Sequence, residues 1–314
     1  MPHGDVLKIK FVDFWPGFDP RKNYFTDLLG EICEFEHSET PNLLFFGCYG
    51  NEHIRHRCHK IFYASENMRP SFRACDYSVG FDHIKHPRHL RLPHYMLYDD
   101  PQKLVGNRPP AVPPEDRRFC CFVVSNGHAK ERVEFYQKLN ARRRVDSGGK
   151  LLNNIGGPVR DKRAFLRGYR FTIAFENSSF PGYTTEKIFE PMLEGSIPIY
   201  WGNPRIAEEF NPRSFINVHE YRNFDAAVNA ICEIDENPEA YEQMRREPWF
   251  KENKLPHEIS RRFILEWFRN VVSTFRNREP ISATPIWYWN HVENRARQIT
   301  YWMSYYLRTG RRYR

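Results

Sequence analysis

The 314-residue sequence predicts an α/β protein made of two Rossmann-like domains with a cleft between them. Three observations carry this prediction. Short runs of consecutive apolar residues recur on both sides of one Pro-rich, charged segment, as strands buried on both faces of a parallel sheet do. Stretches of helical periodicity lie between those runs. Hydrophobic residues make up 40% of the chain and aromatics 16%, enough apolar surface for real cores, which excludes global disorder.

The elements follow in chain order. Residues 7–14 (LKIKFVDF) alternate and read as a first strand, which Trp15-Pro16-Gly17 ends with a turn. Residues 42–47 (NLLFFG), 60–64 (KIFYA) and 77–81 (YSVGF) are short buried strands. Residues 99–118 (DDPQKLVGNRPPAVPPEDRR) are rich in Pro and charge and read as the linker. Beyond it, 119–125 (FCCFVVS) is a strand and 131–139 a helix with Val133, Tyr136 and Leu139 on one side. Residues 171–175 (FTIAF) are a strand. Residues 185–193 read as a helix opened by a Thr cap and closed near Gly195, with Pro191 expected to kink it or end it early. Residues 197–201 and 215–218 are strands. Residues 224–231 and 259–275 are helices, the latter with Phe263, Trp267 and Val271 recurring every four residues. A last helix at about 289–307 carries Val292, Ala296, Ile299, Met303 and Tyr306 as a packing stripe; its basic and aromatic flanks leave an interfacial role as the alternative.

Composition excludes several classes. No apolar run approaches the roughly 18–20 residues of a membrane helix. Lys and Arg number 47 against 39 Asp and Glu, a net charge of +8, and part of that excess sits in the terminal RTGRRYR. A basic balance suits nucleic acid, an anionic membrane or a phosphorylated ligand without choosing among them. The seven cysteines form no Cys-x-x-Cys pair, so neither a zinc site nor a redox motif is signalled. Their odd number, with no signal peptide legible at the N-terminus, points to a reducing, cytoplasmic setting. Dinucleotide and P-loop fingerprints are absent from the sequence, as is any Asp-x-Asp pair to hold a divalent ion.

The densest chemistry lies in residues 171–203 (FTIAFENSSFPGYTTEKIFEPMLEGSIPIYWGN). A strand ends at Phe175 and delivers Glu176 and Asn177 to its carboxyl edge, where α/β sheets bind ligands. A Pro-Gly turn leads to Tyr183 and to a helix start at Thr184-Thr185-Glu186-Lys187. That helix end and Lys187 suit a phosphate, and Glu186 suits sugar hydroxyls. Together they read as a nucleotide-sugar site. Taken singly, each residue also has an ordinary structural reading: Glu186 as dipole complement, Tyr183 as a packed turn residue.

The segment 175–203 resembles the signature of the α-1,3/4-fucosyltransferases, glycosyltransferase family ten. FYASENMRPSF (62–72), DYSVGFD (76–82), RHLRLPHYMLYDD (88–100), FVVSNGHAKERVEFYQKLN (122–140) and NPRSFINVHEY (211–221) resemble the same family in the same order. The resemblance implies a GT-B fold. Its N-terminal acceptor domain would cover 1–117, with the helix at about 285–314 packed back on it, and a donor domain would cover 118–284. It implies GDP-β-L-fucose as donor, bound by Ser125, Asn126, Arg132, Asn177, Tyr183, Glu186 and Lys187. Arg132, Tyr183 and Lys187 would meet the pyrophosphate, and Glu186 the fucose or ribose hydroxyls. It implies Glu66, in Ser65-Glu66-Asn67, as the general base of an inverting transfer. It implies no metal and no other cofactor, and an acceptor glycan of N-acetyllactosamine type, as in Lewis antigens or lipopolysaccharide. Peripheral contact with the inner membrane through the basic aromatic C-terminus is a further expectation. The rivals are a transferase with the same donor and another acceptor, an inactive sugar-binding relative, and a basic nucleic-acid-binding protein. Glu66, Arg132 and Lys187 all being present speaks against the second. The absence of any nucleic-acid motif speaks against the third, and nucleic acid is not expected as a partner.

Overall fold

A computed structural model describes residues 6–106, 116–125, 127, 129–281, 299, 300, 303 and 307. The chain forms two compact units. One runs to Leu92 and resumes at Glu258; the other is Pro93–His257.

The first unit carries six parallel strands: β1 (Leu7–Val12), β2 (Phe35–His37), β3 (Leu43–Phe46), β4 (His59–Tyr63), β5 (Tyr77–Gly80) and β6 (His89–Arg91). Their order is β2-β1-β3-β4-β5-β6. Every residue of β3, β4 and β5 is buried, which is why these runs read as continuously apolar rather than alternating. Helix α1 (Tyr24–Gly30) starts at Asn23, whose side chain accepts the N–H groups of Phe25 and Thr26 while Thr26 returns a bond to the Asn23 N–H. The order reverses between β1 and β3, so the carboxyl ends of those strands form this unit's switch point.

The second unit carries β7 (Arg118–Phe122), α2 (Lys130–Arg142), β8 (Val145–Ser147), α3 (Lys162–Arg167), β9 (Tyr169–Phe175), α4 (Glu186–Leu193), β10 (Ile197–Trp201), β11 (Ile216–Asn217), α5 (Phe224–Glu236) and α6 (Pro238–Arg246). The sheet is parallel throughout, in the order β11-β10-β9-β7-β8. Its switch point falls between β7 and β9. Ligands of open α/β sheets bind at that crevice, beyond the carboxyl ends.

The units divide elsewhere than at the expected 117/118 boundary. Residues 93–106 belong with the second unit because they dock on α4: the His94 N–H donates to the Thr184 carbonyl at 3.1 Å. Tyr95 stacks on Phe189, ring centres 5.3 Å apart. Helix α7 (Arg261–Thr274), expected in the second domain, belongs to the first. Its Phe268 packs on Phe25 and Phe45, and the Trp267 indole N–H donates to the Pro87 carbonyl at 3.3 Å.

Two local expectations are also corrected. The buried face of α7 is Ile264, Leu265, Phe268, Val271 and Val272; Phe263 and Trp267 lie at its half-buried margin, so the true stripe is rotated by one residue. Pro191 does not end α4, which continues to Leu193. Closure comes from Gly195 at φ +68°, with the Ser196 N–H returning to the Pro191 carbonyl at 2.9 Å. The predicted helix at 289–307 lies almost wholly outside the described residues. Of its stripe, Ile299 and Met303 are exposed rather than packed. No helix among the described residues is long and apolar enough to cross a membrane.

Candidate active site

The second unit's switch point is occupied by charged side chains that the fold takes out of water. Arg132 projects from the first turn of α2 and is 1% exposed. One of its terminal nitrogens donates to the Phe175 carbonyl at 2.7 Å and to Asn177 Oδ1 at 2.8 Å. The guanidinium therefore ties the helix after β7 to the carboxyl end of β9. The guanidinium is buried rather than exposed on the helix surface.

Glu176 follows β9 and is fully buried. Its carboxylate accepts the Thr185 N–H and the Thr185 hydroxyl, each at 2.7 Å, and lies 3.5 Å from Lys187 Nζ. Thr185 is also the N-cap of α4. One buried carboxylate thus fixes the start of the helix and the first cation on it. Gly202 permits this close packing, because a Cβ there would sit 2.3 Å from Glu176 Cγ. Asn203 completes the frame: its Oδ1 accepts the Gly182 N–H at 2.7 Å, and its amide donates to the Thr184 hydroxyl at 3.0 Å.

The electrostatics follow from burial and pairing. Burial pushes Glu176 above the usual carboxylate range, against the pull of Lys187. Burial opposes the charge of Lys187, but Glu176 and Glu186 outweigh it and hold the ammonium above its ordinary value. Glu186 lies 3.2 Å from Lys187; burial raises it, and Lys187 with Lys162 brings it below the ordinary carboxyl value. Burial lowers Arg132, while Glu176, Tyr183 and Glu186 support its charge; a guanidinium stays protonated at neutral pH regardless. The result is two cations and an α-helix N-terminus at one sheet edge, with carboxylates between them. That set can offer charge-assisted donors to a diphosphate and also accept hydrogen bonds from hydroxyls.

The structure brings Arg132, Asn177, Tyr183, Glu186 and Lys187 together around Glu176. Tyr183 is 2% exposed and meets the His94 ring edge-on at 5.6 Å. Ser125 is exposed on the loop after β7, and Asn126 lies outside the described residues. Glu66 belongs to the other unit, exposed on the loop after β4. Sequence reasoning placed Glu176 at the sheet edge but gave it no role. Its only sequence signal was its position directly after the last apolar residue of β9.

His219 adds a pH-sensitive support. Its Nε2 accepts the Gly202 N–H at 3.2 Å, its ring stacks on Trp201, and burial pushes it down to about 4. A lowered folded value means stability present above the unfolded value of about 6.5 and lost as pH falls toward 4. Between pH 7 and 4.5 the second unit is expected to lose about 2 kcal/mol through this residue. His219→Gln keeps an acceptor and should remove most of that loss, read by urea unfolding at the two pH values.

Two family models match the chain. The α-(1,3)-fucosyltransferase FucT N-terminal domain covers residues 9–98, and the glycosyltransferase family 10 (fucosyltransferase) C-terminal region covers residues 113–266. An α-(1,3)-fucosyltransferase FucT of Helicobacter pylori is 36% identical over 221 residues, 59% of this chain and 46% of that protein. The chain thus spans less than half the length of that relative. A crystal structure of an α1,3-fucosyltransferase with GDP-fucose superposes with a TM-score of 0.75 at 27% identity, covering 91% of this chain and 95% of that one. Anabaena HepE in complex with UDP and glucose shares the fold alone, with a TM-score of 0.53 at 8% identity. With its two parallel-sheet units of GT-B type and both family regions matched in order, the chain belongs to glycosyltransferase family 10, the fucosyltransferases.

Proposed function

We propose that this chain is an inverting α-1,3-fucosyltransferase that moves L-fucose from GDP-β-L-fucose to the GlcNAc of an N-acetyllactosamine-type glycan. The observation that carries the donor half is the pair of cations, buried Arg132 and half-buried Lys187, held to Asn177 and Glu176 at the switch point of the second unit. These residues lie within the matched C-terminal family region, and a relative of similar fold has been crystallised with GDP-fucose.

The chemistry is a single displacement. Glu66 takes the proton of the acceptor hydroxyl as its oxygen bonds to the anomeric carbon of fucose. The bond from that carbon to the GDP oxygen breaks, and its electron pair leaves on the β-phosphate. The transition state is oxocarbenium-like. Only one carboxylate is needed, because GDP departs unprotonated when cations stabilise it. Arg132, Lys187 and the α4 N-terminus supply that stabilisation, so the reading includes no metal. Glu186 is assigned to the sugar hydroxyls.

The test is titration with GDP-fucose, GDP-mannose and UDP-galactose, followed by transfer assays on N-acetyllactosamine and its type-one isomer, with and without a chelator. GDP-fucose binding with product on N-acetyllactosamine, undiminished by chelation, is expected. Binding without product overturns the acceptor assignment. Failure to bind any GDP-sugar overturns the reading, and loss of turnover on chelation overturns its metal-free part.

A further inference from the structure

The loops at the carboxyl edge of the first unit contain a built device. Asp13, directly after β1, has φ +59°, a left-handed conformation that costs roughly 1–3 kcal/mol for a non-glycine residue. What it holds explains why it persists. Its carboxylate accepts the N–H groups of Glu52 at 2.9 Å and His53 at 3.0 Å, and pairs with His53 Nδ1 at 2.6 Å. Its carbonyl accepts the Tyr49 N–H at 2.9 Å. His53 is fully buried and stacks on Phe46 at 4.2 Å. Two glycines make room: a Cβ at Gly50 would lie 2.3 Å from Asp13 Oδ1, and one at Gly47 2.5 Å from the Asp13 carbonyl oxygen. Residues 47–53 are therefore clamped on Asp13 from both ends.

The clamped loop presents Tyr49. Tyr49 is 47% exposed, and its hydroxyl donates to Glu66 Oε1 at 2.6 Å, bridging the loop after β3 to the loop after β4. We propose that Tyr49 is a positioning residue for Glu66: it fixes the carboxylate through Oε1 and leaves Oε2 for the acceptor hydroxyl. This rests on Glu66 being the base, as in the preceding section.

The physical reason is the freedom of an exposed glutamate. Holding one rotamer of such a side chain costs conformational entropy at every encounter, unless the protein has already fixed it. A neutral phenol donating to a carboxylate forms a short charge-assisted bond that does this without burying the charge. The bond matters because Glu66 lies exposed on the loop after β4, where an unheld side chain interconverts among rotamers.

Tyr49→Phe keeps the ring and removes the donor. Expected are a kcat about tenfold lower, an unchanged KM for GDP-fucose and an unchanged Tm, the pattern of an interaction felt in the transition state only. In a Glu66→Asp background, whose shortened carboxylate no longer reaches the hydroxyl, the same substitution should cost nothing further, a non-additivity that a merely structural role would not give. A wild-type kcat in Tyr49→Phe, or an equal loss in both backgrounds, overturns the proposal. Glu66→Gln measured in parallel separates the layers. If it retains transfer, the base assignment itself fails; if it loses transfer while Tyr49→Phe is normal, only the positioning role fails.

Discussion

Glu66→Gln should reduce fucosyl transfer by a factor of about 10²–10⁴, the usual contribution of a general base, while GDP binds as before. Gln has nearly the same shape and keeps an oxygen that can accept the Tyr49 hydroxyl, so the loop after β4 should stay in place. What it lacks is the capacity to take a proton. The residue is exposed, so no buried charge is stranded by the change and Tm should not move. The cluster proposed to hold the donor belongs to the other unit, around Glu176. A loss confined to turnover is therefore the signature, read as kcat by product analysis and as GDP affinity by calorimetry. Wild-type turnover would remove Glu66 from the chemistry. Loss of GDP binding in step with turnover would instead make Glu66 a donor contact.

The contrast between Glu66 and Arg132 shows what the sequence could and could not reveal. The strands were legible because parallel strands buried on both faces are continuous apolar runs; 43–46, 59–63 and 77–80 stand out for that reason alone. The helix start at Thr185 was legible because an N-cap is a local event. Arg132 was not. Its position in a helix says nothing of a bond to the Phe175 carbonyl, 43 residues away, which only the β7–β9 pairing creates. The division of the chain was hidden for a related reason. The Pro-rich composition of 99–118 is local, but the docking of Tyr95 on Phe189 and of Phe268 on Phe25 is not. Gly202 was likewise illegible as a contact, since its meaning is the Glu176 side-chain carbons pressed against it. The family resemblance supplied the candidate residues, and the structure shows how Arg132, Asn177 and Lys187 are held, with Glu176 at the centre.

Lys187→Ala should weaken GDP and GDP-fucose by roughly 10- to 100-fold, the equivalent of one charge-assisted contact of about 1.5–3 kcal/mol. The loss has two parts that pH can separate. The first is the missing ammonium, which no change of pH restores. The second is repulsion: without Lys187, the diphosphate faces Glu176, buried behind the N-cap of α4, and Glu186. Lys187 is the largest charge holding both carboxyls down, so its removal lets both rise. As pH is lowered, protonation should relieve this repulsion in the variant while the wild type, still holding its ammonium, changes less. The gap in affinity should therefore narrow from pH 7.5 to pH 5.5, measured by calorimetry with GDP at fixed ionic strength. Adding Glu176→Gln to Lys187→Ala should recover part of the affinity at pH 7.5, since the neutral amide's oxygen can still accept the Thr185 N–H while its NH2 donates to the Thr185 hydroxyl, which turns to accept. Equal GDP affinity in wild type and Lys187→Ala would remove this residue from the donor site. A gap that widens at low pH would show that the two carboxylates help to hold the donor rather than repel it, and Lys187 would then serve chiefly to keep Glu176 in place.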